Sequence, residues 1–292
     1  MITEEQRLER RKYLGSSDAP SILGVNPWKN ASDVYWDKIN PPSENESAPT
    51  SEAIIIGNLC EGAVLDWFSM ETGKKILKNQ QRVHVNQVMA ANFDALVVGE
   101  EEAVEAKTTG IITPFDREEW GEPGSDEVPD RVIVQCQHQM AVLPQIKIVW
   151  VPVLLGGVGF RLYQINRNDE FIKSIEEIEV DFWNRYVKER VVPPDNSPTI
   201  GTIKKIKRIP EKVVPLEDTV VEAWIKAKEA KGVAEKAEEE AKRAVLAALG
   251  DAEAGECSLG TVTYLEQKKK EYVVKASTYR VARFKERKQV AA

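Results

Sequence analysis

Asp94, Glu105 and Lys107 lie within NFDALVVGEEEAVEAKTT, Asn92 to Thr109, a stretch otherwise patterned as the two strands of a β-hairpin. Two carboxylates and an ammonium among Ala, Leu and Val need a reason, because burying an unpaired charge is costly. Residues two apart on a strand share a face, so Glu105 and Lys107 project together while Val104 and Ala106 face the other way. Asp94, on the preceding strand, can join them. Such a trio suits a hard divalent cation: Mg²⁺ takes oxygen ligands, commonly one or two carboxylates with water completing the shell. Lys107 then balances charge on an attacking water or a scissile phosphate. Metal-assisted phosphodiester hydrolysis needs those parts and no histidine, which suits a chain whose only histidines are His84 and His138. The competing reading is a solvated charged face, since acid and lysine at i, i+2 are common there and Glu100, Glu101 and Glu102 stand alongside as the hairpin turn.

Two further residues bear on that choice. Glu61, in GNLCEGAVLDWF, shares a helix face with Leu65 and Phe68, so it points toward apolar surroundings, where a half-buried acid wants a cation. Gln135 follows the hairpin on a helix and shares a face with Gln139; an uncharged amide can orient a water or a carboxylate. A salt bridge for Glu61 and a surface amide for Gln135 are the plainer alternatives.

The elements that must position these groups follow from periodicity and punctuation. RLERRKYLGSSDAPSILG reads as a short basic helix, a Gly-Ser turn and a second short helix capped by Ser17 or Asp18, with Pro20 in its first turn and Gly24 at its end. A helix entered through Ser32 follows, then a Pro- and Ser-rich loop from Asn40 to Ser51, then a helix from Glu52 stopped by Gly73. Strands are expected at QRVHVN, NFDALVV and AVEAKTT, a loop from Ile111 to Val128, and a helix with Ile133, Cys136 and Met140 on one face. Two strands around a Gly-Gly turn and a long amphipathic helix complete the order ααβββαββα. That order describes an α/β fold with one mixed central sheet flanked by helices. Beyond the Pro-rich stretch after Val192 the composition shifts to Ala, Glu and Lys. One or two long helices are expected over 211–249, with Gly232 as a break, and then a hairpin and a basic tail. The division expected is a domain over 1–200 and a C-terminal extension over 211–292.

Composition narrows the class. The chain has 292 residues and a formal net charge of −7, which argues against coating nucleic acid by bulk attraction. The distribution is uneven: from Glu266 to Lys288 there are nine Lys/Arg against three Glu, a tail able to touch phosphates. Cys60, Cys136 and Cys257 are far apart and odd in number, against a disulfide framework or a zinc knuckle. No membrane span or signal peptide is read in the sequence, so the expected setting is a reducing cytoplasm.

Five blocks in order, LGSSDAPSILGVNPWKN, GNLCEGAVLDWFSMETGKK, NFDALV, VEAKTT and VPDRVIVQCQHQMAV, resemble the YqaJ family of viral recombinases, relatives of bacteriophage lambda exonuclease within the PD-(D/E)xK nuclease superfamily. The likeness spans roughly residues 8 to 185. It implies a mixed sheet between helices and Mg²⁺-dependent 5′-to-3′ digestion of one strand of linear duplex DNA. By position, Asp94 and Glu105 match the metal-binding carboxylates, Lys107 the catalytic lysine, Glu61 the helix glutamate and Gln135 the glutamine of the following motif. The Ala106 carbonyl is a further candidate ligand, and two ions are implied, Mg²⁺ with Mn²⁺ able to substitute. Phe93 replaces the superfamily's proline before Asp94, and Val132 an aromatic three before the glutamine.

The resemblance also places the 5′-phosphate of the DNA near Arg10 and Ser17. Arg11, Ser16 and Asn92 are close in sequence to that pocket or face it. Trp28 either stacks on a terminal base or belongs to the core. Implied partners are linear duplex DNA, a single-strand annealing protein and two further copies of the chain in a ring of three. If the protein is phage-encoded, its place is the bacterial host's cytoplasm. A PD-(D/E)xK endonuclease using the same carboxylates, and a binding module with a vestigial site, are the alternatives.

Overall fold

The computed structural model describes residues 8–40, 51–110, 119–194, 198–199, 202 and 213–266. Most of the Pro- and Ser-rich loop expected from Asn40 to Ser51, part of the loop expected from Ile111 to Val128, and the basic tail beyond Glu266 lie outside these residues. The chain divides into two compact units, Met1–Pro210 and Glu211–Ala292.

The first unit is built on a seven-stranded mixed sheet. Its strands are β1 (Leu14–Gly15), β2 (Ile76–Val83), β3 (Met89–Val97), β4 (Glu102–Val104), β5 (Lys107–Thr109), β6 (Ile148–Leu155) and β7 (Gly159–Asn166). The helices are α1 (Ala19–Ile22), α2 (Ala31–Ile39), α3 (Glu52–Thr72), α4 (Asp130–Val142) and α5 (Asp169–Phe182), the last continued by a π-helical turn, Trp183–Lys188. Pairing runs β1–β3–β4–β6–β5, with β2 antiparallel on β3 and β7 antiparallel on β6. This is the mixed sheet expected, with two differences that matter for the site.

Leu14–Gly15, read as part of a turn, pairs parallel to Met89–Ala90 of β3 and so brings the N-terminal segment onto the sheet. AVEAKTT, read as one strand, is split. β4 pairs with Glu102-to-Val104 against Ile148-to-Trp150, and β5 pairs Lys107 to Thr109 against Val153 to Leu155, in the same register along β6. The two are one strand interrupted at Glu105 and Ala106. The interruption has a local cause: β3 pairs with β4 at Ala95 and Leu96 only, and at the next residue the Asp94 carboxylate accepts the Ala106 N–H at 2.8 Å. A side chain thus replaces a ladder bond where the strands part.

Helix α3 packs on the sheet through Val64, Leu65 and Phe68, with Ala95, Val97 and Val104 beneath. Each such side chain contributes about 1.5–3 kcal/mol by burial, enough to fix the helix turn carrying Glu61. By length and apolarity alone α3 would pass for a membrane span, yet Glu61 and Asp66 interrupt it and these three residues anchor it to the sheet. Its entry is capped by Ser51 and its stop is Gly73 at φ 70°, the left-handed position expected of a glycine cap. Helix α2 is entered through Asn30, whose side chain forms a capping box with Asp33, rather than through Ser32. Helix α4 is buried on most sides, with Cys136 and Met140 fully enclosed and Ile133 half-buried.

The second unit, among the described residues, holds one uninterrupted helix, α6 (Asp218–Leu249), and a hairpin of β8 (Ala254–Cys257) and β9 (Gly260–Thr263). Gly232 does not break the helix. With no buried residue along α6, nothing in its own packing penalises a missing side chain, and the helix runs through.

Candidate active site

The parting of β3 from β5 leaves a gap, and four of the five expected catalytic side chains face one another across it. Glu105 is almost fully buried, and its Oε1 accepts from Lys107 Nζ and from Gln135 Nε2, both at 2.6 Å. Its Oε2 accepts from Gln139 Nε2 at 2.6 Å. Lys107 Nζ also donates to Gln135 Oε1 at 2.8 Å, so lysine, glutamate and glutamine close a ring of hydrogen bonds. Burial alone would lower the Lys107 ammonium, but the Glu105 carboxylate, helped by Asp94, holds it above the ordinary lysine value and therefore charged.

Asp94 stands beside this ring. Burial, then the charges of Glu105 and Glu61, push its carboxyl well above the usual range, while Lys107 and the Ala106 N–H pull the other way. One ammonium does not neutralise three carboxylates at close quarters. The deficit is of positive charge, and the donors present, two carboxylates with the Ala106 peptide between them, are hard oxygens. They fit a divalent cation such as Mg²⁺. Among the described residues no three Asp, Glu, His or Cys side chains come close enough to hold one ion, so water and phosphate would complete its shell.

Helix α4 supplies the amides. Gln135 and Gln139, one turn apart, grip the two oxygens of Glu105. Gln137 accepts from the Asn168 N–H and donates to the Asn166 carbonyl. His138, fully buried, lies 2.8 Å from Glu179 Oε1 and 3.1 Å from the Ala90 carbonyl of β3. Burial would lower its imidazole, but the facing Glu179 carboxylate raises it above the ordinary histidine value. A helix this enclosed needs partners for its polar groups, and these side chains find them, although Gln139 Oε1 is buried without one. The cluster QCQHQ is therefore the sequence signal for His138, and for Gln139 beyond its sharing a face with Gln135.

Two cavities open from these residues. A polar one of about 540 Å³ is lined by Glu61, Asp94, Glu105 and Gln135, and also by Arg10, Ser16, Ser17 and Asn92. Of the residues expected for catalysis and for phosphate binding, all share this cavity except Lys107, Arg11 and Trp28, which do not line it. The helix N-terminus expected there is slight, since α1 has only four residues, and Asp18 makes no capping bond. Asp18 instead accepts from the Gly15 N–H and pairs with Lys38 and Lys29 at 2.7 and 3.2 Å. Burial would raise its carboxyl, but the two lysines hold it far below the carboxylate range. Lys38 also donates to the Arg10 carbonyl at 2.8 Å, tying the segment that carries Arg10, Ser16 and Ser17 to α2. No sequence pattern marked Lys38 for this.

An apolar cavity of about 680 Å³ lies on the other side of Lys107 and Gln135. Trp28 is on its wall and is 58% exposed, which excludes a core tryptophan, and the Arg131 guanidinium lies 4.9 Å from its ring centroid. Glu102, read as part of the hairpin turn, belongs to β4. It accepts from Trp150 Nε1 at 2.6 Å and pairs with Lys74 at 2.9 Å.

The sequence and fold have known counterparts. Residues 7–143 match the YqaJ-like viral recombinase domain. An uncharacterized protein YqaJ of Bacillus subtilis (strain 168) is 31% identical over 250 residues, 78% of this chain and 76% of that protein. The alkaline exonuclease LHK-Exo of Laribacter hongkongensis superposes with a TM-score of 0.52 at 17% identity, over 65% of this chain and 94% of the exonuclease. The same enzyme in complex with dAMP gives 0.54 at 18%, with the same coverage. These structures share the fold.

Proposed function

Because the chain belongs to the YqaJ-like viral recombinase family, we propose that it is a Mg²⁺-dependent exonuclease that digests one strand of linear duplex DNA from 5′ to 3′, exposing single strand for recombination by annealing. The observation that carries this reading is the contact of Lys107 with Glu105 and Gln135, which with Asp94 line a cavity shared with Arg10 and Ser17. A solvated charged face has no use for a nearly buried glutamate held by two amides and an ammonium.

Asp94 and Glu105, with the Ala106 carbonyl, would hold the metal, and Glu61 would add negative charge at its edge. Bound there, Mg²⁺ or Mn²⁺ supplies Lewis-acid polarisation of the phosphate and a more acidic water. The chain's own groups do the rest. Lys107, kept charged by Glu105, stabilises charge building on the phosphoryl oxygens. Gln135 and Gln139 fix the Glu105 carboxylate so that it need not reorganise during the reaction. Arg10, Ser16, Ser17 and Asn92 receive the terminal 5′-phosphate, placing the first internucleotide bond over the carboxylates. LHK-Exo, the neighbour solved with dAMP, is consistent with a mononucleotide product. A ring of three copies around the DNA and a single-strand annealing partner belong to the same reading.

Digestion of 5′-phosphorylated linear duplex, 5′-hydroxyl linear duplex and closed circular duplex, each with Mg²⁺ or EDTA, tests it. The expected order is rapid, slower and none, with EDTA abolishing all. Internal cutting of closed circles would instead make the protein an endonuclease. Unchanged digestion by Lys107→Ala would remove the assigned chemistry.

A further inference from the structure

The apolar cavity has no part in the chemistry above, yet Gln135 and Ser17 line both it and the phosphate cavity, and Lys107 stands on its wall. Its walls differ in kind from the polar cavity: Trp28, Trp120, Ile54 and Val132 are prominent. At about 680 Å³ it is within the range of ligand sites. Two of its groups are oddly placed for a merely structural hollow. Trp28 exposes more than half its surface while the Arg131 guanidinium lies over its ring, so the indole is pinned without being buried. Trp120 is buried to 8% exposure, and its Nε1 has no hydrogen-bond partner among the described residues.

We propose that this cavity is a nucleobase site that takes the base on the 3′ side of the scissile phosphate, stacked on Trp28. The proposal rests on the exonuclease reading, which fixes the direction of the strand. With the 5′-phosphate among Arg10 and Ser17 and the scissile phosphate at Lys107, the next nucleotide falls at the cavity whose wall Lys107 joins. A flat aromatic base suits an apolar wall with one exposed indole, and stacking of this kind tolerates any base, as a non-specific exonuclease requires. Arg131 orients the indole from its covered side. Trp28 is therefore a positioning residue that sets the strand over the carboxylates.

The test uses the full chain with Ca²⁺ in place of Mg²⁺ and 5′-phosphorylated duplexes carrying 2-aminopurine at the first, second or third nucleotide. Binding should change the fluorescence of the second-position probe, and Trp28→Ala should abolish that change and weaken binding about 5- to 150-fold. Trp28→Phe should recover most of it. An abasic second nucleotide should weaken wild type and leave Trp28→Ala little further affected, a coupling that a structural role for Trp28 would not produce. Equal signals from wild type and Trp28→Ala, a response confined to the first or third position, or additive losses would overturn the proposal. A protein that neither binds these duplexes nor digests them with Mg²⁺ would sink the exonuclease reading instead.

Discussion

Replacing Asp94 with asparagine removes charge and keeps shape. The amide oxygen can still accept the Ala106 N–H, now made at 2.8 Å. What disappears is one negative charge packed beside Glu105 and Glu61, whose repulsion, added to burial, raises the Asp94 carboxyl. The metal-free variant is therefore expected to be more stable than wild type near neutral pH. In a domain of this size each kcal/mol of that gain is about 2–4 °C in Tm. The pH dependence has a definite sign. A carboxyl whose folded value is raised favours the fold while protonated; that stability is complete below the unfolded value, about 3.9, and is lost as pH climbs through the folded value. The advantage of Asp94→Asn should thus grow from acid toward neutral pH and then level off. Divalent metal should reverse the order, because an ion binding only the folded state adds about 2.7 kcal/mol at a hundredfold excess over Kd, and the variant lacks a ligand. Calorimetry of both proteins in EDTA and in Mg²⁺, across about pH 5 to 8, reads all of this. The reasoning fails if the metal-free variant melts below wild type at neutral pH, or if Mg²⁺ stabilises the two equally.

Gln139→Leu should leave Glu105 Oε2 buried without its amide donor, costing about 1–3 kcal/mol in urea unfolding, and should slow digestion while Gln135 still holds Oε1. Glu102→Ala should cost about 1–3 kcal/mol by stranding Trp150 Nε1, while Lys74 keeps its pair with Glu100, whereas Glu101→Ala should stay within about 0.5 kcal/mol; equal melts would mean the Glu102 contacts carry no weight. His138→Phe should cost about 3–5 kcal/mol because it leaves Glu179 buried and uncompensated. A double change with Glu179→Leu should recover a large part of that, and additive losses would show that the pair is not a unit.

Much of this protein was readable before folding. Period-two runs gave most of the strands, although the one expected at QRVHVN starts earlier, at Ile76, and ends at Val83; Gly73 and Gly24 gave the helix stops, and the spacing of Asp94, Glu105 and Lys107 their common face, because side-chain direction in a strand depends only on counting. Glu61 against Leu65 and Phe68 followed in the same way from helical spacing. What counting could not supply was anything requiring two elements to meet. The break at Ala106 exists because Asp94, twelve residues earlier, takes its N–H. Glu102 looked like one more turn acid until β6 brought Trp150 beside it. Lys38 lies in an ordinary amphipathic pattern, and only the packing of α2 against the N-terminal segment gives its ammonium Asp18 and the Arg10 carbonyl. The sequence by itself determined which residues carry charge and which face of their own element they occupy, since those are local properties of a chain. Tertiary structure decided which charges are neutralised, which amides become braces and which tryptophan stays open beside a cavity, since each depends on partners far away in the chain.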